Sequence, residues 1–106
     1  MSDKYRLLHL LMVPFSFLTN HAQALLVIAH DPSIRMRDIA ESLALTERAA
    51  QRIVGELVAS GYVTKTREGR RNSYVVRTDQ SVPLSGERKL QVGDLLEVLG
   101  TQRIAA

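Results

Sequence analysis

"TERAAQRIVGELVASGYV" (Thr46 to Val63) carries a helix start signal, an apolar stripe and a stop signal in order. Thr46 suits an N-cap, because its hydroxyl can accept a bond from an unpaired amide of the first turn. Gly61 is placed to end the helix in a left-handed C-cap. The expected helix therefore runs from about Glu47 to Ser60. At about 100° per residue, Ala50, Ile53, Val54, Leu57 and Val58 gather on one side, while Arg48, Gln51, Arg52, Gly55 and Ala59 fall broadly opposite. One face is built for a core, and the other is cationic and amide-bearing. Arginine can pair bidentately with guanine, and glutamine with adenine. An ordinary amphipathic helix with a solvated polar face shares this pattern. The mild repulsion between Arg48 and Arg52 at i, i+4 counts against a purely structural purpose.

Two short strands follow. "YVTKTR" (Tyr62 to Arg67) and "SYVVRT" (Ser73 to Thr78) are rich in β-branched residues and tyrosine, and "EGRRN" (Glu68 to Asn72) between them contains Gly and Asn. The connection reads as longer than a two-residue turn, so a projecting tip is expected. Lys65, Arg67, Arg70, Arg71 and Asn72 populate this hairpin. The net charge is +3, and its distribution matters more than its size. Residues 35–78 hold nine Lys/Arg against five Asp/Glu, whereas the rest of the chain holds five against six. The positive excess lies in the middle of the chain, which favours an anionic partner there.

Upstream, Thr19 or Asn20 can cap a helix beginning near His21, and Asn20 with Gln23 has capping-box spacing. Leu25, Leu26, Ile28 and Ala29 give that helix an apolar face, and Pro32 ends it. "SIRM" (Ser33 to Met36) leaves room for a short extended piece. A second helix is expected from about Arg37 to Leu43, with Ile39, Ala40 and Leu43 on its buried stripe. "ALT" (Ala44 to Thr46) is a brief link to the capped helix. Downstream, "DQSVPLSGERK" (Asp79 to Lys89) reads as an irregular link, and "LQVGDLLEVLG" (Leu90 to Gly100) as a final helix with Leu95, Leu96 and Leu99 on one side.

The first 24 residues imitate a secretory signal: Lys4 and Arg6 lead a mostly apolar run, and Ala22-Gln23-Ala24 resembles a cleavage site. Asp3, His9 and Pro14 spoil the pattern, and cleavage after Ala24 would remove the start of the first core helix. The run is also short of the about 20 apolar residues a spanning helix needs. The reading adopted is an apolar N-terminal arm or helix, packed on the core or on a second subunit. The chain has 106 residues, so one folded domain is expected. With no Cys there is no disulfide framework, thiolate zinc site or Cys nucleophile, which fits a cytoplasmic protein. His9, His21 and His30 are scattered. His30 beside Asp31 could join a metal site, but a histidine at a helix end is more often a cap or surface residue. No Ser/His/Asp spacing, phosphate loop or carboxylate pair stands out, so neither enzyme activity, metal nor cofactor is expected.

The order of helix, short extended piece, helix, tight turn, capped helix and basic hairpin resembles the winged helix-turn-helix domain of bacterial transcriptional regulators of the MarR/ArsR-like kind. The residues carrying it are "RMRDIAESLALTERAAQRIVGELVASGYVTKTREGRRNSYVV" (Arg35 to Val76). The resemblance implies a mainly α fold with a small β hairpin: a three-helix core plus wing over residues 19–78. An N-terminal arm at 1–18 and a linker with C-terminal helix at 79–106 flank it as dimerisation segments. It implies a homodimer on double-stranded DNA at a palindromic site, with Thr46, Glu47, Arg48, Gln51 and Arg52 in the major groove. Lys65, Arg67, Arg70, Arg71 and Asn72 would form the DNA-binding wing, while Val63 and Tyr74 fill the hairpin core. Leu7, Leu8, Leu11, Leu95, Leu96 and Leu99 would form the dimer contact. The alternative is a winged-helix module that binds protein and not DNA. One departure is Ala44, where such turns often carry Gly; a positive φ at this alanine costs roughly 1 kcal/mol.

Overall fold

The computed structural model describes residues 16–100. Helix α1 (Asn20–His30) is capped by Thr19, whose Oγ1 accepts from the Ala22 amide at 3.1 Å. The cap is therefore Thr19 and not Asn20, and Gln23 makes no capping box. Gln23 is buried instead, and its Nε2 donates to Ser16 Oγ and the Leu18 carbonyl. These bonds fold residues 16–18 back over the first turn of α1.

Helix α2 (Met36–Leu43) follows a loop with little regular structure. Within "SIRM", Ser33 to Arg35 form no strand, and Met36 already belongs to α2. The expected extended piece does not form; the residue before it, Pro32, accepts from the Tyr74 amide at 2.9 Å through its carbonyl. Proline has no amide to return to a ladder, so the pairing ends there.

Ala44 closes α2 at φ 58° and ψ 43°, the left-handed conformation. The Leu45 amide reaches back to the Ala40 carbonyl at 2.8 Å and the Ala44 amide to that of Glu41 at 3.2 Å. These are the two bonds of a Schellman closure, here built on alanine rather than glycine. Thr46 then caps helix α3 (Glu47–Ala59), its Oγ1 accepting from the Ala49 amide at 3.1 Å. Gly61 ends α3 at φ 86°, and the Tyr62 amide donates to the Leu57 carbonyl at 2.9 Å. Both ends of the expected helix are where the capping residues put them, to within a residue.

Strands β1 (Val63–Glu68) and β2 (Arg71–Val76) pair antiparallel, with Glu68 opposite Arg71. The turn between them is only Gly69-Arg70, shorter than expected from "EGRRN". Gly69 adopts φ 65° and Arg70 does not share the positive φ, which fits the two-residue II′ turn with glycine in its first central position. Counting polar letters overstated the loop, because Glu68, Arg71 and Asn72 are already in the ladder.

One apolar core unites these elements: Ala24, Leu25, Val27 and Ile28 of α1, Ile39, Ala40 and Leu43 of α2, Ala50, Ile53, Val54 and Leu57 of α3, and Val63 and Tyr74 of the hairpin. Beyond it, Asp79 to Lys89 is not an irregular link. Strands β3 (Ser81–Pro83) and β4 (Lys89–Gln91) pair antiparallel as a second small hairpin. The final helix, α4 (Val92–Val98), is shorter than expected because Leu90 and Gln91 belong to β4. The Val92 and Gly93 amides donate to the carbonyls of Gln80 and Thr78 at 2.9 and 2.8 Å. A Cβ on Gly93 would sit 3.2 Å from the Thr78 Cβ, so the residue that makes this helix start hard to place permits the close approach. Tyr62 Oη donates to the Ser81 carbonyl and ties this C-terminal unit to the end of α3.

Candidate nucleic-acid interface

Burial of Ala50, Ile53, Val54 and Leu57 leaves the opposite side of α3 in solvent. Thr46, Glu47, Arg48, Gln51, Arg52, Gly55 and Ala59 are all exposed there. The structure thus brings the sequence-selected residues of this helix onto one surface. Thr46 is already engaged as the cap, and Glu47 lies in the first turn, where its charge suits the positive end of the helix dipole. Among the described residues, Arg48 and Gln51 have no hydrogen-bond or ion-pair partner, whereas Arg52 donates from Nη1 to Glu56 Oε2 at 3.2 Å.

Glu56 is a member of this face that sequence reasoning missed. Its other oxygen, Oε1, lies 2.7 Å from His21 Nε2 on α1. The His21 hydrogen bond is the largest influence and holds the Glu56 carboxyl below its usual range; desolvation, next in size, opposes it, and Arg52 adds to the lowering. The Arg52–Glu56 half of the triad was legible as an i, i+4 pair. His21, 35 residues away, was not.

On the wing, Lys65, Arg67, Arg70 and Arg71 are exposed and Asn72 is half-buried. They do not act alike. Arg70 occupies the turn itself. Arg67 Nε donates to the Gly69 carbonyl at 3.2 Å, and Arg71 Nη2 donates to the Ser33 carbonyl at 2.9 Å. Between wing and α3 lies a groove of about 640 Å³ whose walls include Arg35, Gln51, Gly55, Lys65, Arg70 and Asn72. Asn72 Oδ1 is buried with no hydrogen-bond partner among the described residues. Gly55 has nothing within 4 Å of where a Cβ would sit, so backbone is open at that wall.

The leucines proposed for a dimer contact divide. Leu7, Leu8 and Leu11 lie outside the described residues. Leu96 is buried within the chain, Leu95 and Leu99 are half-buried, and Val98, absent from that set, is 82% exposed. Among the described residues no group of three or more His, Cys, Asp or Glu could hold a metal, and no helix is long and apolar enough to cross a membrane. Asp31, the carboxylate beside His30, accepts from the Ser33 amide at 3.1 Å.

Three packed helices, a left-handed turn between the second and third, and a basic antiparallel hairpin define a winged helix-turn-helix protein. A MarR family model matches residues 16–71, just over half of the chain, and the chain belongs to that family of winged-helix transcriptional regulators. No curated protein matches it.

Proposed function

We propose that the protein binds double-stranded DNA sequence-specifically as a homodimer, on a palindromic site, through α3 and the wing. The observation that carries this is the outward face of α3. Arg48 and Gln51 stand exposed and unpartnered among the described residues, beside an open Gly55 and next to a wing bearing Lys65, Arg67 and Arg70. In this reading Arg48, Gln51 and Arg52 read base edges in the major groove, and Thr46 and Glu47 set the entry of the helix. Lys65, Arg67, Arg70 and Asn72 follow the backbone or the minor groove. Two copies, joined through the N-terminal arm and the α4 end with Leu95, Val98 and Leu99, would set two recognition helices about one DNA turn apart.

Selection of bound fragments from random DNA, followed by anisotropy titrations, tests this. The expected result is an enriched inverted repeat whose affinity falls steeply with salt, because phosphate contacts release counterions. Arg48→Ala/Arg52→Ala should flatten sequence preference by about 1–3 kcal/mol per lost base contact, while Arg70→Ala weakens binding to all sequences alike. No enrichment, together with salt-independent binding, would end the proposal.

A further inference from the structure

The two wing arginines differ in what they touch, and we infer that Arg71 is a positioning residue that latches the wing to the α1–α2 loop, leaving Arg70 as the phosphate-seeking member of the pair. This rests on the DNA-binding reading above. A two-stranded hairpin is marginal by itself, so its angle must be fixed from outside. At the base, Val63 and Tyr74 do this by burial. Toward the tip, Thr66 to Arg71 leave the core, and the side chain of Arg71 crosses to the Ser33 carbonyl at 2.9 Å. Its acceptor is held in place. The Ser33 amide donates to Asp31 Oδ1 at 3.1 Å and the Ile34 amide to the Asp31 carbonyl at 3.0 Å, a turn built on one aspartate. One residue along the same loop, the Pro32 carbonyl takes the Tyr74 amide. Two neighbouring carbonyls of the loop thus grip β2 at two heights, and Asp31 is the second positioning residue of the latch.

Hydrogen exchange on the free protein tests the latch without DNA, and DNA titrations across salt concentrations test its use. Arg71→Ala is expected to speed exchange of the wing amides several-fold and to lower DNA affinity roughly three- to tenfold, with the salt slope unchanged. Arg70→Ala should leave wing exchange alone and reduce the salt slope by about one phosphate contact. Asp31→Ala gives the sharpest contrast. Removing an acid from a DNA-binding surface ordinarily strengthens binding, whereas the latch predicts weaker binding and faster wing exchange. Asp31→Asn, which keeps the Oδ1 acceptor, should leave wing exchange at the wild-type rate. The inference is overturned if Arg71→Ala leaves wing exchange unchanged, or if it lowers the salt slope as Arg70→Ala does. A wild-type protein that binds no DNA would refute the function while the exchange comparison still decides the latch.

Discussion

Helix α3 and the wing both hold arginines in solvent, but they are supported by different physics. Under α3 lie Ala50, Ile53, Val54 and Leu57, four buried side chains shared with α1 and α2. The wing contributes two buried side chains to that core, Val63 and Tyr74, with Val76 partly buried against them, and it is tied to the α1–α2 loop by hydrogen bonds from the Tyr74 amide near its base and from Arg71 toward its tip. Burial scales with apolar area and does not depend on direction, whereas a solvent-facing hydrogen bond contributes little net energy but fixes an angle. A face that reads base edges needs its side chains held to fractions of an ångström. A finger on the backbone tolerates more play, and a polar tether is enough for it.

The largest effect that could break this comparison is at Ile53, which is 2% exposed beneath the polar face. Ile53→Ala should cost about 3–4 kcal/mol of global stability, the lost transfer energy plus a cavity between three helices. Chemical denaturation measures it as a fall in midpoint at constant slope. A loss below about 1 kcal/mol, within the range of a surface change, would show that α3 is not seated by burial.

That same helix was the most legible part of the sequence, and for a local reason. Thr46, Gly61 and the stripe from Ala50 to Leu57 each act within a few residues, so spacing alone locates the element and its exposed face. The wing was legible as two strands but not as a turn, because one glycine at positive φ replaces a loop that polar composition seemed to require. The second hairpin escaped notice because its strands are three residues each and its surroundings are fixed by a bond from Tyr62 to the Ser81 carbonyl and by the Gln80 and Thr78 carbonyls, which accept from the Val92 and Gly93 amides. The candidate site was legible as a set of cations and illegible as a set of contacts. His21–Glu56 and Ser33–Arg71 join positions 35 and 38 apart, and no periodicity records such pairs.

A smaller effect sharpens how α3 is aimed. The turn that sets its angle to α2 depends on Ala44 at φ 58°, a conformation that costs an L-residue roughly 1–2 kcal/mol. Ala44→Gly removes the clash with the side chain but gives the unfolded chain more freedom, so the net gain should be about 0.5–1 kcal/mol. Thermal or chemical denaturation reads it as a higher midpoint. If the variant is neutral or less stable, the alanine is not strained and another contact sets the turn.

The smallest expected effect is at Glu56, where the polar face of α3 is least like the wing. The folded-state carboxyl is held below its ordinary value of 4.5 by the His21 hydrogen bond first and Arg52 second. A depressed carboxylate contributes stability that is present above the unfolded value and is lost as pH falls through the folded one. Comparing wild type with Glu56→Gln by denaturation should therefore show a constant difference from neutral pH down to about 4.5, shrinking below it as Glu56 takes up a proton. The three side chains are roughly half exposed, so water and salt screen the triad, and the difference should narrow further in high salt. A difference that persists unchanged to pH 3, or one indifferent to salt, would mean that Glu56 acts through packing rather than charge. The triad then could not be what pins Arg52 to the helix surface, and the contrast between a tethered Arg52 and an unpartnered Arg48 would lose its basis.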